Sequence, residues 1–293
     1  GIAVAHSLFN LLCTVLMLPL SNLLERLVCV LVPDGKQPEA ASELDERLLA
    51  TPPVALERCR KVAAQMADCS VNALEQGIAA LTAYTPELAR QVRTAEDQSD
   101  HFEDLLGTYL VKLSTRRISA ADSNEAARLL KIIGDFERIA DHGVNLVQSA
   151  EELRSKKMNF TPSAMAELTV LTKAVEEILG LSLDAFLKDD YNAAGMVEPL
   201  EQVIDGLKEQ LRTSHILRLQ KEECSIEAGF VWADLLTDLE RVSDHCSNIA
   251  GCIMDMHQGK LNLHESLRAM KEDRAQFDER CRMYRQKYAL PVE

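Results

Sequence analysis

Glu137 and Asp141 stand four residues apart in DFERIADHGVNL, residues 135–146, and Glu240 and Asp244 repeat the step in DLERVSDHCSNI, residues 238–249. On a helix, residues four apart differ in direction by about 40°, so each pair of carboxylates shares a face, with Asn145 and Asn248 one further turn along. Like charges placed this way repel unless a cation or a hydrogen-bond donor comes between them. The same acid step precedes each sentence: Glu96 and Asp100 in EDQSD, Glu201 and Asp205 in EQVID. Carboxylates are hard ligands suited to iron, manganese, magnesium or calcium, and they argue against a thiolate-type zinc site. Four in one place suggest more than one ion.

These residues need helices to position them, and the sequence supplies the signals. Apolar positions recur with helical period from about residue 53 to near the end, and no stretch alternates convincingly with period two. Six long helices are expected at about 53–83, 86–117, 122–156, 161–189, 192–222 and 225–257, with a shorter one at 264–288 after the loop QGKLN. Thr85 with Pro86, the loop ISAADS, Thr161 with Pro162, and Ser225 supply the helix starts.

An antiparallel hairpin aligns residues equidistant from its turn. Glu96 faces Asp141 and Asp100 faces Glu137 if the turn centres between residues 118 and 119, within ISAADS. Glu201 faces Asp244 and Asp205 faces Glu240 if it centres between 222 and 223, just before Ser225. Each hairpin therefore brings four acids to one level.

Six identities at matched spacing in the two twelve-residue sentences, 103 residues apart, indicate an internal repeat of three helices. The expected class is all-α: two tandem three-helix bundles, residues 51–157 and 158–258. They follow one transmembrane helix within residues 1–33 and a polar linker, 34–50, and precede a helical tail, 259–293. Residues 1–24 carry no Asp, Glu, Lys or Arg and are long enough to span a bilayer. Because the chain starts at Gly1 and is apolar at once, it is expected to be a fragment of something longer.

His142 and His245 lie seven residues after Asp135 and Asp238, about 20° round the helix, which puts each Asp/His pair on a face next to the acids and makes the histidines candidate peripheral ligands of a metal there or outer partners of its ligands. Arg138 and Arg241 are expected to neutralise acids of an adjacent helix or to anchor an anion. The eight cysteines form no CxxC pair and read as buried thiols in a reducing setting.

A net charge of −14 with no Lys/Arg cluster excludes a nucleic-acid surface, and 4% aromatic content excludes a base-stacking platform. A di-iron oxidase bundle needs Glu-x-x-His on two helices, and no histidine here has a Glu three residues before it. There is no GxSxG and no P-loop, so an enzyme is not expected.

Two three-helix repeats, each with ExxxD steps and the sentence D-[FL]-E-R-[IV]-x-D-H-x-x-N-[LI], resemble the PhoU family of phosphate-responsive regulators. AHSLFNLLCTVLMLPL and LDERLLATPPVALE, residues 44–57, resemble the last membrane helix and the junction of bacterial sodium/phosphate cotransporters that end in a PhoU domain. The resemblance implies multinuclear metal clusters, iron first, with manganese, magnesium or zinc as alternatives. It gives Glu96, Asp100, Glu137 and Asp141 to one cluster and Glu201, Asp205, Glu240 and Asp244 to the other, with Asp97, Asp135, Asp238, Asn145 and Asn248 as additions.

It further implies a regulatory domain of a sodium-dependent phosphate cotransporter that senses or restrains phosphate uptake. Phosphate and sodium would be met through an upstream transport domain, and a second copy of the chain is a further partner, in a homodimer. The location expected is a cell (inner) membrane, with residues 34–293 cytoplasmic. The alternative is a phosphate-signalling module acting on a kinase or other partner without affecting transport.

Overall fold

The computed structural model describes His6, Phe9, and residues 44–258 and 274–291. The chain divides into two units, residues 1–42 and 43–293, and the helices named here belong to the second. The expected membrane helix at 1–33 and the first part of the expected 264–288 helix lie outside the described residues.

Six long helices follow one another: α1 (Pro52–Ala83), α2 (Pro86–Ser114), α3 (Ala120–Ser155), α4 (Pro162–Lys188), α5 (Tyr191–Gln220) and α6 (Ile226–Gln258). A 3-10 turn, Glu46–Ala50, precedes them, and α7 (Arg274–Lys287) follows. Local chemistry sets the starts. Thr85 accepts from the Leu88 N–H ahead of Pro86, Thr161 from the Ala164 N–H ahead of Pro162, and Ser225 from the Ala228 N–H. Ser119 and Asp122 form a capping box at the head of α3. Two helices end on closed turns without glycine: Lys157 and Glu222 adopt φ of 53° and 59°, and the next N–H groups reach back to Leu153 O and Arg218 O.

Helices α1 to α3 pack on one another as one bundle, and α4 to α6 as a second. The first bundle is joined to the second chiefly through α3 and α6, while α7 lies on α5. Phe136 of α3 and Phe186 of α4 meet with ring centroids 5.3 Å apart, which adds about 0.5–1.5 kcal/mol to the burial of both rings.

Relative to the first repeat, the acid step on the second helix of the second repeat is displaced by 105 residues, and that on the third helix by 103. Two fewer residues therefore separate the acids of the second hairpin.

The expected membrane location is corrected. Among the described residues no helix is long and apolar enough to cross a membrane. Each long helix has one apolar stripe, spent on its neighbours, and a charged face that hydrocarbon would not accept.

Candidate metal centre

In the first hairpin the acids are close enough to repel. Burial first, and then Asp141, Asp97 and Asp100, hold Glu96 above the usual carboxylate range. Glu137 is pushed up to about 7, by burial and then by Asp141, with Glu103 and Asp100 adding to it. In the second hairpin Asp205 is raised by burial and by Glu240, and Asp244 by burial, Glu240 and Asp205. The structure thus brings Glu96, Asp100, Glu137 and Asp141 into one field, and Asp205, Glu240 and Asp244 into another. Glu201 sits half-buried on α5 near Cys281 of α7, whose thiol it helps to raise.

The arginines of the doubled sentence serve their own helix. Arg138 lies 3.0 Å from Asp141 and 3.3 Å from Glu137, and Arg241 lies 3.4 Å from Asp244. Their ion pairs are therefore not the expected ones to acids of an adjacent helix, because residues three apart are already neighbours on one helix. Lys208, from the next turn of α5, lies 3.0 Å from Glu240.

Among the described residues no three His, Cys, Asp or Glu groups stand close enough to hold one ion. The donor chemistry nevertheless suits hard cations, being all carboxylate and half-buried in part. A bound ion would have to gather side chains already on facing stripes.

The other residues of the doubled sentence do something different. His142 Nδ1 lies 2.9 Å from Asp238 Oδ1, and Asn145 Nδ2 donates to the same oxygen at 3.1 Å. Reciprocally, His245 Nδ1 lies 2.9 Å from Asp135 Oδ1 and Asn248 Nδ2 donates to it at 3.2 Å. The two imidazoles face each other across the seam, 5.7 Å between centroids. Six residues of the repeat therefore fasten α3 to α6, each aspartate taking a histidine and an amide from the other bundle. Once α3 and α6 are known to meet, their register can be read from the sequence: 135 with 245 and 142 with 238 both centre on residue 190, as in two antiparallel helices.

The seam is symmetric in these six residues and not around them. Asp238 borders an open polar cleft of about 290 Å³ with Asn145, Gln148, Ser149, Glu152, Asp234 and Thr237. Asp135 is buried at 7% exposure and its Oδ2 has no hydrogen-bond partner.

Cysteines play no part in either acid cluster. Of the six described, Cys59, Cys246, Cys252 and Cys281 are buried and all six are free thiols. Burial pushes Cys59 and Cys246 up to about 12, far from the thiolate that metal binding needs.

The architecture is that of a helical protein made twice, two three-helix bundles sharing a polar seam and each carrying an acid hairpin. Its fold is shared by the crystal structure of PhoU from Pseudomonas aeruginosa, at TM-score 0.59 and 23% identity over 75% of this chain and 99% of that one. The phosphate transport system regulatory protein PhoU from Streptococcus pneumoniae matches at TM-score 0.62 and 17% identity, over 72% and 99%.

The PhoU domain model matches residues 63–150 and 168–253, one match to each bundle, and the chain belongs to this family. Among the relatives, PhoU homolog 1 of Thermotoga maritima, a phosphate-specific transport system accessory protein, is 24% identical over 68% of this chain and 85% of its own length. The Pseudomonas aeruginosa homolog of that accessory protein is 27% identical over 64% of this chain and 76% of its own. That such relatives are accessory proteins with crystal structures is a second reason for correcting the membrane location.

Proposed function

We propose that this chain regulates phosphate transport and that its two acid hairpins bind metal ions which fix the geometry of each bundle. Facing carboxylate stripes at one level of each hairpin, in a chain of the PhoU domain family, carry the reading. A bound hard cation would neutralise acids that now raise one another and leave positions open to phosphate oxygens or water. In that arrangement Glu96, Asp100, Glu137 and Asp141 hold the first site, and Glu201, Asp205, Glu240 and Asp244 the second, with iron the first choice of metal. Asp97 borders the first site. The seam residues hold the bundles at a fixed angle, so a change at one cluster is carried to the other through α3 and α6. The partner is a phosphate transport system, and the resemblance of residues 44–57 points to a sodium-dependent one.

Metal analysis of purified protein tests the site. The double variant Glu137→Ala with Asp141→Ala, and the double variant Glu240→Ala with Asp244→Ala, should each lose part of the bound metal; unchanged content in both defeats the reading. Phosphate uptake by cells making or lacking residues 51–293 tests the regulation, and equal uptake would leave no role in transport.

A further inference from the structure

Toward its turn, the second hairpin holds an apolar cavity between α5 and α6. Its volume is about 510 Å³, within the range of small-molecule sites. Two rim residues are large, apolar and exposed, Ile226 at 69% and Phe230 at 68%, and Ile216 stands half-exposed beside them. The floor is aromatic. His215 and Trp232 both line the cavity, stacked at 5.7 Å, with the Arg218 guanidinium 5.6 Å from the indole centroid. Both rings are more than nine-tenths buried, and each keeps a nitrogen without a hydrogen-bond partner, His215 Nε2 and Trp232 Nε1. An indole N–H can only donate, so the floor calls for an acceptor. Burial, and then Arg218, hold His215 below the usual histidine range, so its ring is neutral at pH 7 and Nε2 donates or accepts according to tautomer.

The first bundle, on the same backbone plan, does not repeat this floor. At the positions matching His215 and Trp232 it buries Leu110 and Leu129, and where Phe230 and Ile226 stand on the rim it has Ala127 and Ser123. Smaller residues open the second: Gly229 and Ala233 replace Ala126 and Leu130, and a Cβ at Gly229 would lie 2.9 Å from His215 Nε2. Arg212 replaces Gly107. By the register that aligns the acids, Arg212 stands level with Ala233, beside Trp232. Charge gives the cavity a direction. Arg212 and Lys208 stand at its inner end, while Glu222 and Glu227 border the groove that continues it at the hairpin tip. Lys208 is taken by Glu240 at 3.0 Å, whereas Arg212 makes a 4.0 Å contact with Glu209 at 67% and 65% side-chain exposure, a pair that a ligand anion can replace at little cost.

We propose that this cavity binds a small amphipathic carboxylate, an apolar body of about ten carbons with one anionic end. The anion lies inward, paired with Arg212 and accepting from Trp232 Nε1, and the body lies along Ile216, Leu219 and Phe230 toward the tip. Charge selects this orientation: an anion at the outer end would meet Glu222 and Glu227, and a cation at the inner end would meet Arg212 and Lys208. Length agrees with it. From Lys208 to Leu219 the cavity follows α5 for about 16 Å, room for an extended chain of that size. Binding covers the exposed rim and ties α5 to α6 where each helix approaches the hairpin turn.

The chain has one tryptophan, so Trp232 emission reports on the cavity directly. The test titrates the full chain with hexanoate, octanoate and decanoate below micelle formation, with 1-decanol as the uncharged control, reading emission and the thermal unfolding midpoint together. A saturable emission change is expected, tightening about two- to fourfold per added methylene and accompanied by a higher midpoint. Arg212→Gln should weaken decanoate about tenfold and leave decanol unchanged. Ala233→Leu, which installs the residue of the first bundle, should abolish binding of both; Arg212 is exposed, so its variant decides the matter if Ala233→Leu folds poorly. No emission change, equal binding of decanol and decanoate, or decanoate binding indifferent to Arg212 overturns the inference. A lowered midpoint, which marks decanoate as a denaturant, overturns it too. So does concentration-dependent self-association abolished by Phe230→Asp, which assigns the face to a second copy of this chain. Metal content does not enter these readouts, so the metal-binding reading stands or falls separately.

Discussion

The two bundles follow one backbone plan and fill it with different chemistry. In the first, α1 and α3 touch backbone to backbone: a Cβ at Gly77 would lie 2.6 Å from Gly143 O, and one at Gly143 would lie 2.7 Å from Ala73 O. In the second, the equivalent positions are Ser182 and Cys246, and the serine hydroxyl donates to Cys246 O at 3.2 Å. Where α1 meets α2 the first bundle buries a Ser70–Ser99 hydroxyl pair at 2.8 Å, and the second places Val175 and Ile204 there, both fully buried. The second bundle also encloses an ion pair, Arg218 with Glu167, at 3.0 and 2.8 Å. The acid stripes persist through these changes while the packing around them does not, which separates what sets the fold from what marks the candidate site.

The largest break in the comparison is expected at that enclosed pair. Arg218 and Glu167 have side-chain exposures of only 4% and 10%, so Glu167→Ala leaves a guanidinium in the core and should cost about 3–5 kcal/mol in denaturant unfolding. The half-exposed Arg93–Glu151 pair of the first bundle should cost less than about 1 kcal/mol when Arg93 becomes Ala. Similar losses for the two variants would mean that the Arg218 pair is wetter than its exposure indicates.

The helix approach comes next. Gly143→Ala drives a methyl group into the Ala73 carbonyl and should destabilise by about 1–3 kcal/mol. Ser182→Ala in the second bundle loses one hydrogen bond and leaves the spacing unchanged, at about 1 kcal/mol. Equal thermal shifts would show that α1 and α3 part for no more than the loss of one hydrogen bond.

The smallest effect is in pH. Glu137, raised from 4.5 to about 7 by burial and by Asp141, keeps its proton in the folded state over a range where the unfolded chain has released it. The folded state therefore binds more protons across that window, and stability falls as pH rises through it. In chelator-treated protein the contribution should be about 1–2 kcal/mol, seen as a flatter pH profile of Glu137→Gln than of wild type. Parallel profiles would mean that the carboxylate is already ionised at pH 5.

Much of this was written plainly in the sequence. Thr85, Thr161 and Ser225 begin helices because their hydroxyl oxygens accept from N–H groups that the first turn leaves free, a local requirement needing no knowledge of the fold. The acid register followed from hairpin arithmetic for the same reason. The joining of α3 to α6 was hidden because it depends on which helices meet between repeats, and nothing near His142 or Asp238 in the chain declares that. The Arg218–Glu167 pair gave no sign, since charged residues normally face water and 51 positions separate the two.

Pro199 stands inside α5 and has no N–H to offer Gly195 O four residues earlier. That carbonyl accepts instead from Arg280 of α7 at 2.7 Å, and Cys281 Sγ lies 3.7 Å from Pro199 O. Tyr284 and Tyr288 complete the seat, the latter bonded through its hydroxyl to Glu177 of α4. A fault in one helix thus becomes an address for another: of all the turns of α5, only the one with a vacant acceptor can receive Arg280, and this fixes the sliding register of a helix whose apolar stripe alone would allow several. The tail carries its own docking coordinate, written 81 residues upstream of the arginine that reads it.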